Sequence, residues 1–381
     1  MVETRKEQEN SVLVSVVPKS QADDKTIEYL DELEFLVKTL GIKVEKTYTQ
    51  KLEHPDTKTF VGKGKLAEIT EFVRAKNIGN VIFDDDLSPS QLRNLERELK
   101  VKIYDRSLLI LDIFLKRAKT VQAKTQVELA RYQYILPRLT KMWTHLERQR
   151  GGTATRGGAG EKEIETDRRN VRNMINVLRD RLDKIEVQAT TRRKSRVGIV
   201  RVAFVGYTNA GKSTLMNLIS KEKVYTQDEL FATVDSTVRK VVLNQLPFLL
   251  SDTVGFIRKL PHNLIESFKS TLMEVKEADL LLHVIDASNL AYEDHVKVVE
   301  STLEEIGAAD IPTINIYNKV DKLEDLEQFL EQKRVTTGTS IFVSAATKYN
   351  FDELKELIVR EVTKEHMKIY PNYLAPETYT S

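Results

Sequence analysis

The sequence predicts an α/β fold in three parts, two α/β domains separated by a long antiparallel helical hairpin. Three observations carry this. Strand-like apolar runs alternate with helical periodicity over 11–116 and again over 197–365. Between about 117 and 190 the strand signals stop, and apolar residues recur every three or four positions. The chain has 381 residues, too many for one ordinary core, so roughly two to three domains are expected. The divisions fall at 1–116, 117–195 and 196–365, with a tail at 366–381.

In the first domain, 12–17 predicts a buried strand. Residues 25–40 predict a helix with Ile27, Leu30, Leu33, Leu36, Val37 and Leu40 on its apolar side. Residues 81–83 form another strand, ending in Asp84, Asp85 and Asp86, which read as a solvated loop. Ser88 or Ser90 caps the following helix, and 101–104 is the last strand. The pattern points to a parallel sheet.

The hairpin rests on Leu129, Tyr132, Leu136, Leu139, Trp143 and Leu146, then on Val171, Met174, Leu178, Leu182 and Ile185. Trp143 is expected to pack on that face, and Pro137 to kink the first helix. Two such helices joined by a glycine-rich link should pair antiparallel. A helix of about 30 residues would hold the link roughly 45 Å from the base. From Arg148 to Gly160 there are three arginines, five glycines and no acidic residue. The net charge is only +2, so this local cluster points to a specific polyanion contact rather than general nucleic-acid coating. There are no cysteines, which excludes disulfides and thiol-based metal or redox chemistry. No apolar run reaches the roughly 20 residues of a membrane span, and a cytoplasmic protein is expected.

The last domain carries the chemistry. Gly206-Tyr207-Thr208-Asn209-Ala210-Gly211-Lys212-Ser213 matches the GxxxxGK[ST] phosphate loop, between an apolar strand at 200–205 and a helix beginning at Thr214. Its glycines let backbone amides, including that of Ala210, turn toward phosphates at a helix N-terminus. Lys212 is expected to reach the β- and γ-phosphates, and Ser213 to ligate Mg²⁺. Asp252-Thr253-Val254-Gly255 follows another strand; Asp252 fits a Mg²⁺ role and the Gly255 amide can sense the γ-phosphate. Asn318-Lys319-Val320-Asp321 follows a third. Asp321 can accept from guanine N1 and N2, Lys319 can cover the base, and Asn318 can tie this loop to the phosphate loop. Ser344-Ala345-Ala346 ends the last strand, where a backbone amide can meet guanine O6.

Four such elements, each at the C-terminal end of a strand, fit the ligand crevice of an open α/β sheet. They predict a P-loop, Ras-like G domain that takes GTP and GDP in preference to ATP. Between the first two elements lies a switch region with Thr233 as the choice for the closing Mg²⁺ ligand and Thr237 as the alternative. Lys212, Thr233 and Gly255 are the candidate catalytic groups. Ras-like proteins carry a water-orienting glutamine after this glycine. Here it is Phe256, so hydrolysis should be slow without a partner or another group. Asn209 resembles the asparagine of GTPases in which K⁺ helps neutralise phosphate charge, which leaves K⁺ open as a further cofactor.

Phe60-Val61-Gly62-Lys63-Gly64-Lys65, a glycine-rich loop followed by Glu163-Ile164-Glu165-Thr166-Asp167-Arg168-Arg169, and the motifs at 231–235 and 252–256 together resemble the HflX family. The resemblance covers about residues 11–365. It implies a GTPase that binds the large ribosomal subunit, with the hairpin loop reaching 23S rRNA near the peptidyl-transferase centre. It is associated with splitting stalled or stressed 70S ribosomes, and some members with antibiotic resistance. An RNA-binding GTPase of ribosome assembly is the alternative. On this basis Arg148, Arg150 and Arg156 would meet rRNA. Lys63 and Lys65, between glycines at a helix N-terminus, suit an anion, which leaves rRNA phosphate, a second nucleotide or a plain solvated turn open there. The chain would act as a monomer. Gly157-Gly158-Ala159-Gly160-Glu161-Lys162 lacks the proline of the family's Gly-Pro-Gly-Glu-Thr.

Overall fold

The computed structural model describes residues 9–142, 159–194, 198–220, 230, 231, 235, 237–261, 269–334 and 339–371. The chain divides into two compact units, Met1–Lys184 with Lys259–Ser267, and Ile185–Arg258 with Phe268–Ser381.

The first unit is built on a four-stranded sheet in the order β2-β1-β3-β4, parallel throughout. Central strand β1 (Asn10–Val17) is a nearly continuous buried run, as a parallel strand covered on both faces requires. β3 (Asn80–Phe83) is buried throughout, and β4 (Lys102–Tyr104) closes one edge. β2 (Lys43–Lys51) is a strand that the apolar pattern does not predict, because only its Tyr48 is buried. As an edge strand it carries Lys43, Lys46 and Lys51, which discourage further strand addition. Helix α1 (Asp23–Leu40) buries Leu33, Leu36 and Val37 and ends at Gly41 in the left-handed region. Ile27, expected on its apolar side, is instead largely exposed. α2 (Lys63–Ala75) precedes β3, and Ser88 opens α3 (Pro89–Leu99) with a capping box closed by Gln91.

The loops after β3 and β4 hold a buried polar cluster rather than a solvated turn. Asp84 is buried and pairs with Arg106 Nη1 at 2.8 Å, while Arg106 Nη2 meets Glu32. Arg106 opens α4 (Arg106–Arg117), capped by Asp105 through the Leu108 amide. The expectation for Asp84 fails because its cationic partner lies 22 positions away in the chain.

α5 (Val121–Met142) packs on α3 and α4. Its Leu129, Tyr132 and Leu136 meet Val171, Ile175, Leu178 and Leu182 of α6 (Ala159–Lys194). Met174, expected on that face, is exposed. Pro137 lies inside α5, next to Arg138. Arg138 Nη2 donates to Leu87 O and Asp105 Oδ2, both at 3.1 Å, and its Nη1 donates to Tyr134 O at 2.9 Å. Trp143, Leu146 and the arginines of the link lie outside the described residues.

The second unit is a six-stranded sheet in the order β10-β9-β8-β5-β7-β6. β5 (Arg201–Gly206), β7 (Leu246–Asp252), β8 (Leu280–Asp286), β9 (Thr313–Asn318) and β10 (Ser340–Phe342) are mutually parallel. β6 (Thr237–Leu243) runs antiparallel to β7 through a two-residue turn whose Asn244 and Gln245 both have positive φ. β6 escapes sequence periodicity because its apolar residues, Val238 and then Val241, Val242 and Leu243 in a row, do not alternate; only Val241 is buried. α7 (Lys212–Ser220) follows β5, α8 (Lys269–Lys276) precedes β8, α9 (Tyr292–Ile306) follows β8, α10 (Leu326–Arg334) follows β9, and α11 (Phe351–Ile369) ends the fold. Val202, Phe204, Phe248, Leu250, Leu282 and Ile316 form its core.

Arg106→Ala leaves two acidic side chains around an empty cation position. Breaking a buried pair this way should cost the N-terminal unit about 3–5 kcal/mol, measured by urea unfolding of the full chain.

Candidate functional site

The functional side chains gather where β5, β7, β8, β9 and β10 end, the C-terminal edge of the sheet. β5 runs straight into the phosphate-loop sequence. Gly206 has φ of +148°, and a Cβ there would stand 2.3 Å from Val284 O, so only glycine fits. Gly211 has φ of +100°, and its Cβ would stand 2.2 Å from Asn318 Nδ2. Asn209 sits between them at φ 60°, a region that asparagine tolerates better than most residues. Ala210 completes the turn, and Lys212, Ser213 and Thr214 open α7.

Lys212 is buried, with Nζ donating to Gly206 O at 3.1 Å and Tyr207 O at 2.8 Å. Burial pushes its ammonium down to about 8; Asp252 opposes the shift and Lys319 adds to it. Ser213 Oγ lies 2.5 Å from Asp252 Oδ2. This hydroxyl and carboxylate form a hard-oxygen pair of the kind that suits Mg²⁺. Thr237 stands opposite Asp252 in the β6–β7 register, and Thr233 lies outside the described residues. Among the described residues no group of three or more His, Asp or Glu is arranged to hold a metal by itself.

Gly255 is wedged against the phosphate loop. A Cβ there would stand 2.9 Å from Thr208 Cα and Cγ2 and 3.0 Å from Lys212 Nζ. Phe256 forms a parallel bridge with Tyr207: its amide donates to Gly206 O at 3.1 Å and its carbonyl accepts from Thr208 N at 2.8 Å. The Phe256 side chain is buried.

The loops after β9 and β10 are tied to the phosphate loop by one side chain. Asn318 Nδ2 donates to Ala210 O at 2.9 Å, and Asn318 Oδ1 accepts from Ala345 N at 3.0 Å. Lys319 adopts φ 63° and pairs with Asp286 at 2.7 Å, while Asp321 lies exposed in a short 3₁₀ turn. The Ala345 amide is used by Asn318 and the Ser344 amide by Tyr349 O, so Ala346 offers the amide that can meet a base carbonyl.

Two participants escape the motif reading. Asp286 orients Lys319, and only its place at a strand end hints at that. Tyr207 occupies a variable position of the loop pattern. Its hydroxyl accepts from Arg258 N at 2.9 Å and its ring stacks on His295 at 3.7 Å. Lys63 and Lys65 are far from these motifs in sequence, at the start of α2. Lys65 pairs with Glu68 at 2.8 Å, and Lys63 borders a cavity of about 900 Å³ that carboxylates of Asp56, Glu71 and Glu98 also line. Arg148, Arg150 and Arg156 lie outside the described residues.

Families described as GTP-binding GTPase N-terminal, GTP-binding GTPase Middle Region and 50S ribosome-binding GTPase match residues 27–115, 117–196 and 201–319. GTPase HflX of Flavobacterium psychrophilum is 48% identical, over 97% of this chain and 94% of that protein. The chain belongs to the HflX family. GTPase HflX of Escherichia coli K12 is 44% identical, over 95% of this chain and 86% of the relative. The crystal structure of SsGBP in complex with GDP aligns with a TM-score of 0.51 at 26% identity, covering 94% of this chain and all of that one. The family is one of GTPases, and GTP hydrolysis is this chain's activity. Among the described residues no helix is long and apolar enough to cross a membrane.

With Lys212 at the phosphates, GDP binding is expected to depend on pH: well below pH 8 the ammonium is charged and affinity should be complete, and above it the unliganded protein loses this proton and affinity should fall. Calorimetry of GDP binding at pH 8.5, in buffers of different ionisation enthalpy, should record proton uptake that Lys212→Ala does not show. Asp321→Asn should weaken GDP binding at least about tenfold and shift preference to xanthosine diphosphate, whose C2 carbonyl meets an amide donor, as read by competitive displacement.

Proposed function

We propose that this chain is a cytoplasmic, ribosome-associated GTPase that binds the large subunit, separates stalled or stressed 70S ribosomes, and hydrolyses GTP for its own release. The observation that carries this is one chain joining two things. One is the Asn318-tied nucleotide site; the other is a two-helix arm whose connecting residues are arginine- and glycine-rich. The match to a 50S ribosome-binding GTPase family supports the ribosome as partner.

In this scheme residues 206–214 cradle the phosphates, with Lys212 at the β- and γ-phosphates. Ser213, Asp252 and Thr233 hold Mg²⁺, and the Gly255 amide senses the γ-phosphate. Asn318, Lys319, Asp321 and the 344–346 loop read guanine. Arg148, Arg150 and Arg156 meet rRNA of the large subunit, where phosphates offer charge and exposed bases offer stacking faces. Splitting requires that GTP-bound and GDP-bound forms differ in ribosome affinity.

Ribosomes are expected to raise the GTP hydrolysis rate at least about tenfold. The triple change of Arg148, Arg150 and Arg156 to Ala should remove that stimulation while leaving ribosome-free hydrolysis intact. In sucrose gradients the wild type with GTP should convert 70S particles to subunits. Equal large-subunit binding with GTP, GDP and no nucleotide would refute the scheme.

A further inference from the structure

Phe256 occupies the position at which Ras-like GTPases place their water-orienting glutamine. Its ring cannot take that role from where it lies. It is 2% exposed, and the backbone on both sides of it is stitched to Gly206 and Thr208. Bringing the ring out would break two hydrogen bonds and expose a large apolar surface, and a phenyl group still offers water no lone pair or donor.

The same stitching places another side chain at the critical point. Thr208 is 7% exposed, and among the described residues its Oγ1 has no hydrogen-bond partner. A buried hydroxyl left without a partner is destabilising, a cost that a valine of the same shape would avoid. Thr208 abuts Gly255, the residue whose amide faces the γ-phosphate in the proposed scheme, and Gly255 in turn abuts Lys212 Nζ. The Thr208 side chain therefore stands beside the two groups that bracket the terminal phosphate in that scheme, its Cγ2 toward Gly255 and its desolvated hydroxyl on the same Cβ.

We infer that Thr208 is a further catalytic residue, its hydroxyl hydrogen-bonding the attacking water in place of the missing glutamine. In the step it serves, the water oxygen bonds to the γ-phosphorus as the bond to the β,γ-bridging oxygen breaks. The electron pair leaves on the β-phosphate, and the water proton ends on an oxygen of the released phosphate. Thr208 gains and loses no proton; it accepts from the water and aligns it. This rests on the nucleotide site described above.

The test compares Thr208→Val, which keeps the shape and removes the hydroxyl, with Thr208→Ser, which keeps the hydroxyl. Single-turnover hydrolysis is measured at saturating GTP, beside equilibrium binding of fluorescent GDP and a non-hydrolysable GTP analogue. Thr208→Val should slow the chemical step at least about tenfold, with the ratio of GTP-analogue to GDP affinity changed less than about threefold. Thr208→Ser should restore the rate to within about threefold of wild type. The melting temperature of Thr208→Val should not fall, because the change removes an unpartnered polar atom. A Thr208→Val rate near that of wild type overturns the assignment, and so does a Thr208→Ser protein as slow as Thr208→Val. A parallel loss of both affinities with an unchanged rate at saturation also overturns it, since the hydroxyl would then support the loop and not the reaction. Failure of the wild type to bind GDP would instead remove the nucleotide site itself.

Discussion

The carboxamide of Asn318 fastens three loops at once. Through Nδ2 it holds the carbonyl of Ala210 in the phosphate loop, and through Oδ1 it holds the amide of Ala345 beyond β10. Its own backbone belongs to β9, so the loops after β5, β9 and β10 become a single rigid surface. The close approach explains why Gly211 has no room for a side chain. A charged replacement could donate or accept, but not both, so the phosphate and base halves of the site would lose their common reference.

Around that tie the backbone is held in conformations that would be unfavourable elsewhere. Gly206 and Gly211 lie at positive φ, as do the non-glycine residues Asn209 and Lys319. The surrounding sheet over-determines them. Lys212, buried and bonded to two loop carbonyls, is held inward, and the Ser213–Asp252 contact joins the start of α7 to the end of β7. The Tyr207–Phe256 bridge then couples the phosphate loop to the segment that would sense the γ-phosphate. Those two segments cannot move independently without breaking backbone hydrogen bonds.

The parts of the fold that the sequence made legible are those with fixed chemistry or full burial. Phosphate and guanine recognition demand particular residue types at particular spacings, so 206–213 and 318–321 stand out. β1, β3, β5 and β8 stand out because both faces are covered. β2 and β6 do not: β2 is mostly polar with one buried residue, and the apolar residues of β6 (Val238, Val241, Val242 and Leu243) do not alternate. Asp84 looked solvated because a carboxylate's environment depends on a partner distant in sequence, here Arg106. Tyr207 and Thr208 sit at the variable positions of the phosphate-loop pattern. A consensus passes over such positions, and only the packing of Gly255 and Phe256 against them gives them meaning.

The geometry around Pro137 has a mechanical consequence. A proline inside a helix removes one rung of its hydrogen-bond ladder and ordinarily leaves a hinge. In α5 the next residue splints that hinge. The Arg138 guanidinium lies 3.5 Å over the Tyr134 ring and bonds the Tyr134 carbonyl one turn back. It also grips the carbonyl of Leu87 and the carboxylate of Asp105 at the sheet end. The helix is thus fastened, one residue past its proline, to the strand-end loops of the first sheet, and bending it there would have to break those contacts.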